Sequence, residues 1–311
     1  MDSEARAQAR INNLINQDKQ TDSTIDNQFE VTMDFIRYHL MAFYQRYADD
    51  NGLSVSQTSQ QVNQWDIQQW RDVLKRMNIT SWEQEAQDRA KVLSAQAGIN
   101  KTNLINAIIG LGLLNLTNQQ ITTIGSRLNS DNDEAIEDLR QELNLTSAQV
   151  AILRNLDDGD DWQDNFWLAS DGIRNNVEIT FNNSLRAGLT QIALGTLLAV
   201  HFSNKEKRPN KSIADRIGQL VNSAKGYVRT YSSIQINRRK TKAYKYKPEI
   251  KQVKWITEPG CCKLCASIQR SNPYDKISAP IPGLDSHPYC RCTIIPIRTH
   301  SYDDTDEEDD D

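Results

Sequence analysis

All five cysteines of this 311-residue chain, Cys261, Cys262, Cys265, Cys290 and Cys292, fall within thirty-two residues. They form two groups, Cys262-x-x-Cys265 and His287-x-x-Cys290-x-Cys292. Soft donors in two short clusters suit a tetrahedral zinc site, because each tight turn presents two ligands and the loop between them can close. The alternatives are free thiols acting as small buried hydrophobes and disulfides of an oxidising compartment. The N-terminal residues lack the apolar core of a signal peptide, which ranks disulfides below zinc. Six donors compete for about four places. Cys262, Cys265, Cys290 and Cys292 are the first choice, His287 the substitute and Cys261 the spare. Four protein ligands leave no open position for water, so this zinc would staple the loop and do no catalysis.

Other chemistry is sparse. The four histidines are His39, His201, His287 and His300, and His287 alone lies in a constellation suited to metal or proton chemistry. No His-Glu-x-x-His, nucleophile elbow or Walker motif occurs, so the chain is read as having no enzymatic activity. Gly110 and Gly112 lack the Gly-Lys-Ser/Thr of a phosphate loop and read as close-packing positions. The acidic run 157–161 lacks the alternating ligands of a calcium loop and reads as a solvated linker.

Charge is uneven. Residues 203–254 hold fifteen Lys/Arg against three Asp/Glu, a local +12, so the rest of a chain of net −5 carries −17. Arg229, Arg238, Arg239, Lys240, Lys242, Lys245 and Lys247 are candidate contacts to DNA phosphates or to a partner protein, with a solvated helix face as the plain alternative. Eight of the nine residues 303–311 are acidic, which predicts a mobile tail that cannot pack.

These side chains need elements to position them. From Ile25, the residues Phe29, Met33, Ile36, Leu40, Phe43, Tyr44 and Tyr47 recur at spacings of three and four and predict a helix, with N-cap candidates in 21–24 and a turn at Asn51 and Gly52. Capping boxes are expected at Thr80/Glu83, Thr117/Gln120 and Thr146/Gln149. Trp162, Phe166, Ala169, Ile173, Val177 and Phe181 resume helical spacing, ending near Arg186. The longest apolar run, 187–202, is shorter than the roughly twenty residues of a bilayer span. Residues 250–257 and 293–297 predict two strands paired across the cysteine loop. The expected fold is mainly α: a helical N-terminal region over 1–156, the acidic linker 157–161, a small α+β domain over 162–298 with a Cys/His-stapled loop, and a disordered acidic tail over 299–311.

Several segments together resemble the minor head, or head morphogenesis, proteins of tailed bacteriophages with a phage Mu F-like C-terminal domain. They are Ala42 to Ala48 followed by Asn51 to Ser54, Tyr227 to Thr230, Lys254 to Thr257, Cys262-x-x-Cys265, and the His-Pro-Tyr-Cys-Arg-Cys sequence from His287 to Cys292. Tyr231 stands where that family commonly has an acidic residue. The resemblance implies a virion component at the head interior or portal vertex, assembled in the host cytoplasm. Its implied partners are the portal protein, scaffold or major capsid protein, and packaged DNA, with roles in head assembly and DNA packaging or ejection. The alternatives are a zinc-ribbon-like nucleic-acid-binding protein and a zinc nuclease.

Overall fold

The computed structural model describes residues 3–157, 159, 161–199 and 212–298. Along the chain run α1 (Ser3–Tyr47), α2 (Val55–Thr58), α3 (Gln64–Met77), a 3-10 turn (Ile79–Ser81), α4 (Gln84–Ala97), α5 (Lys101–Leu143), α6 (Ser147–Arg154), α7 (Trp162–Arg186), α8 (Gln191–Leu198) and α9 (Ile213–Lys245). There follow β1 (Ile250–Ile256), α10 (Lys263–Arg270), β2 (Tyr274–Asp275) and β3 (Thr293–Arg298). The fold is mainly α with a small C-terminal sheet, as the periodicities predict. Among the described residues no helix is long and apolar enough to cross a membrane.

The chain forms two compact units that interleave along the sequence, whereas composition suggested consecutive domains over 1–156 and 162–298. One comprises Met1–Asp18, Arg127–Asp160 and Tyr227–Asp311, the other Lys19–Ser126 and Asp161–Gly226. Helices α1, α5 and α9 are long enough to give one stretch to each unit, and composition carries no trace of that division. The acidic run does mark a real break: α6 ends before it, α7 starts after it, and the Gly159 amide donates to the Asp157 carboxylate at 2.9 Å in a local turn.

The all-helical unit, 19–126 with 161–226, is built on the stripe of Ile25, Phe29, Met33, Ile36, Leu40 and Phe43, all buried. The expected helix start at 21–24 is not used. The apolar spacing continues backward through Leu14, Ile11 and Ala7, so burial extends α1 through Thr24, whose hydroxyl donates to the Gln20 carbonyl. Thr117 likewise sits mid-helix, buried, with its hydroxyl on the Leu113 carbonyl, and forms no cap. Thr80 lies in the 3-10 turn, and Glu83 holds the N-cap position of α4 without a side-chain capping hydrogen bond, so the expected box does not form. Gly112 is a contact position, since a Cβ there would lie 2.9 Å from the Phe35 ring.

The α+β unit, 1–18 with 127–160 and 227–311, folds around Trp255, Tyr244, Leu139, Leu143, Leu153, Ile294 and three of the cysteines. Its sheet has strand order β2-β1-β3 and is antiparallel, with Trp255 opposite Ile294 and Val253 opposite Pro296. Pro296 lacks an amide proton and sits on an edge strand, where that loss is tolerated. The Thr146 capping box forms as expected, Thr146 and Gln149 each accepting the other's backbone amide. The short strand β2 was not expected. It extends the edge of β1, and beside it the Asn272 side chain caps Trp255, accepting its amide at 2.7 Å and donating to its carbonyl at 2.9 Å.

Two predictions concern the helical unit. Gly52 has φ +97, and a Cβ there would lie 2.5 Å from the Leu189 carbonyl oxygen, across the paired Leu53 and Leu189 amides. Gly52→Ala is expected to cost at least about 2 kcal/mol by denaturant titration. His39 is buried against the Phe35 and Tyr38 rings, and neither ring nitrogen finds a hydrogen-bond partner among the described residues. Burial first, then the Arg76 charge, lowers its pKa from 6.5 to about 4. The unfolded chain therefore takes up the proton first, and stability is lost as pH falls from about 6.5 to about 4, on the order of 3 kcal/mol in all. His39→Leu should remove that part of the slope from unfolding curves measured between pH 7 and pH 4.

Candidate metal centre

The first ligand turn is built by the end of β1 and the start of α10. Gly260, at φ +73, reverses the chain, and Cys262 becomes the N-cap of α10 with its sulfur accepting the Cys265 amide at 3.4 Å. Cys-x-x-Cys spacing at a helix start therefore puts two sulfurs on one turn, beside amides that favour thiolate. That contact with the Cys265 amide holds the exposed Cys262 thiol below its ordinary pKa. The second turn runs from His287 to Cys290 through Tyr289, which takes a left-handed φ of 69 without being glycine. The Tyr289 amide donates to the Thr230 hydroxyl of α9 at 3.1 Å, fastening this turn to the helix.

The two turns meet at Cys265, which is buried. Its sulfur lies 3.2 Å from His287 Nε2 and 3.6 Å from the Cys290 sulfur. His287 Nδ1 is 2.6 Å from the Pro288 carbonyl, which can only accept, so the proton sits on Nδ1 and the Nε2 lone pair faces the sulfurs. Three overlapping groups have donor atoms within 4.8 Å of one another: Cys262, Cys265 and His287; Cys265, Cys290 and Cys292; Glu258, His287 and Cys290. This cluster can hold a metal ion. The sequence reading made His287 a substitute ligand, and the structure places it in two of the three groups. Cys261 belongs to none, and all five cysteines are free thiols. Glu258 was missed, because a single carboxylate between a strand and a turn carries no spacing signal. Its carboxylate accepts the Arg291 amide at 3.2 Å, and burial raises its pKa.

The thiols titrate against one another. A hydrogen bond from Cys292 is the main reason the Cys290 thiol is brought down to about 5. Burial, then the Cys290 charge, pushes Cys265 up, and Cys292 rises because it holds the proton it shares with Cys290. One thiolate thus makes its neighbours reluctant to ionise, and a bound dication would reverse that order by stabilising every adjacent thiolate.

Arg291, between Cys290 and Cys292, leads away from the sulfurs into a buried ring of charge. Its Nε and Nη2 donate to the two Asp18 carboxylate oxygens, the first at 2.9 Å, and its Nη1 donates to the Ser232 hydroxyl at 2.7 Å. Ser232 donates to Asp131, which accepts Arg127 Nε at 2.8 Å, and Arg127 Nη1 closes the ring 3.4 Å from Asp18. Asp18 comes from α1, Arg127 and Asp131 from α5, and Ser232 from α9. Asp18 was the legible signal, a carboxylate on the apolar stripe of α1 one turn beyond Leu14.

The basic residues do not act as one surface. Arg239 is buried with Nη1 on the Gln235 carbonyl, and Lys240 turns inward to Thr293 Oγ1 at 2.6 Å, its pKa lowered to about 8 chiefly by burial. These two are thus corrected from phosphate contacts to internal ties of α9. Arg229 lies 3.6 Å from Asp18 and 6.0 Å from the Tyr289 ring. Lys242 lies 6.0 Å from the Tyr246 ring, and Lys247 is half-buried. Arg238, Lys242 and Lys245 share one helix face by their spacing of four and three, and Lys245 is exposed. Lys205, Lys207, Arg208 and Lys211, and the acidic tail, lie outside the described residues.

No family model matches the chain, and neither the curated proteins nor the solved structures give a match. Cys265→Ser should abolish metal binding and raise amide exchange across 250–298 while leaving exchange in 19–126 unchanged, whereas Cys261→Ser should bind metal as the parent chain does. Metal content with hydrogen-exchange mass spectrometry reads both.

Proposed function

We propose that this chain is a metal-stapled minor head protein of a tailed bacteriophage, bound to the portal inside the procapsid and aiding head assembly and DNA packaging or ejection. The observation that carries this reading is convergence. Trp255, Cys262, Cys265, His287, Cys290, Arg291 and Cys292, which carry the sequence resemblance, gather in one small module where five are candidate ligands and one anchors the buried ring. The metal is zinc: clustered thiolate and imidazole donors suit a d10 dication, and four protein ligands make the site structural. Its ligands are Cys262, Cys265 and His287, which form one donor group, and Cys290, whose sulfur lies 3.6 Å from that of Cys265, with Cys292 as a thiol hydrogen-bonded to Cys290. The helix face of the half-buried Arg238 and Lys242 and the exposed Lys245 gives the portal or packaged DNA a narrow basic contact.

Copurification with the portal protein of the encoding phage, with metal analysis of the complex, tests the reading. The expected result is a stable complex carrying about one zinc per chain. Absence of portal association together with salt-sensitive DNA binding, or DNA cleavage, would replace it with a nucleic-acid-binding or nuclease function.

A further inference from the structure

We infer that Arg291 couples the metal centre to the docking of the first part of α1, so that metal loss releases residues 3–18 from the α+β unit. This rests on the metal reading above and goes beyond it, because Asp18 is neither a ligand nor near the ligands in sequence.

The centre holds Arg291 directly through its ligand Cys290 on one flank and, on the other, through Cys292, which is hydrogen-bonded to Cys290. Cys290 and Cys292 belong to one donor group, and the Arg291 amide is held by Glu258, a member of another. Tyr289, between the ligands His287 and Cys290, holds a left-handed φ of 69, a strained backbone that ligation on both sides would help to maintain. A guanidinium bonded to two Asp18 oxygens and to Ser232 requires its backbone at one place, since a planar fork has no slack for a shifted origin.

Residues 3–18 have further ties besides Asp18, among them Gln17, which donates to Glu134 at 3.3 Å and accepts from Arg127 at 3.1 Å, and Arg10, which lies 3.8 Å from Asp138. Ala7 and Ile11 pack with Ile256 and Ile295, and Leu14 packs with Ala135 and Ile236. Arg10 pairs with Glu134, and Glu4 with Lys254 between exposed side chains. Asp18 is buried, and with Arg291 withdrawn its carboxylate keeps, as charged partners among the described residues, Arg127 at 3.4 Å and Arg229 at 3.6 Å. A buried carboxylate short of its main partner favours solvent, and undocking α1 supplies it. Linkage makes the coupling reciprocal: if the metal favours the docked helix, a docked helix strengthens metal binding by the same factor.

The test uses the full chain loaded with zinc, its metal content measured first. Hydrogen exchange of residues 3–18 is followed with and without a chelator, and zinc affinity is measured by competition with a chromogenic chelator for the parent chain, Asp18→Asn and Arg291→Lys. Chelation is expected to speed exchange in 3–18 at least tenfold. Asp18→Asn is expected to weaken zinc binding about tenfold, as ordinary intersite coupling does. Arg291→Lys keeps the charge, loses the fork and should weaken zinc binding less, and it carries the test if Asp18→Asn fails to fold. Zinc bound with parental affinity by whichever variants fold, or protection of 3–18 unchanged by chelation, overturns the coupling and leaves the staple standing. A parent chain that binds no zinc overturns both.

Discussion

Two carboxylates, Asp18 and Asp131, are buried in the α+β unit, and much of that unit is arranged to make this possible. Removing a charge from water costs several kcal/mol unless partners replace the lost hydration. Here the replacement is complete only as a ring: Arg291 on both oxygens of Asp18, Ser232 between Arg291 and Asp131, and Arg127 between the two carboxylates. Apart from the Arg127–Asp131 pair within α5, its members come from different parts of the sequence, so the ring cannot close until α1, α5, α9 and the cysteine loop have assembled. Such a network contributes little net stability over an apolar core, but it penalises every packing that leaves one member unpaired.

That constraint gives the cysteine module its second role. The donor cluster ties the end of β1 to the loop before β3, and the arginine it presents ties that loop to three helices. Thr230 and Asn237 of α9 add further anchors, receiving the Tyr289 amide and bonding Thr293. The same helix spends Arg239 and Lys240 on internal contacts, which removes both from its outward charge. A basic run counted along the chain therefore overstates the charge that a DNA backbone could meet.

Much was legible in the sequence where the signal is local. The stripe from Phe29 to Phe43, the span of α7, the strand around Val253 and Trp255, the Thr146 cap and the cysteine clusters all follow from spacing, because helical and strand periods and ligand turns are properties of a few consecutive residues. The misread helix start at 21–24 and the cap at Thr117 fail for one reason. Ser and Thr serve equally at a cap or bonded back to a carbonyl within a helix, and only burial of the flanking face decides between them.

The amino-acid order by itself determined a helix-rich chain with one soft-ligand module, since apolar periodicity and Cys/His spacing require no distant partner. Tertiary structure alone decided that the units interleave, that Glu258 lies with the thiols, that Arg239 and Lys240 point inward and that Arg291 meets Asp18. Those outcomes depend on which distant surfaces are buried together. The energy of a buried charge is set by the partners that assemble around it, and Asp18 and its main partner Arg291 lie 273 positions apart in the chain.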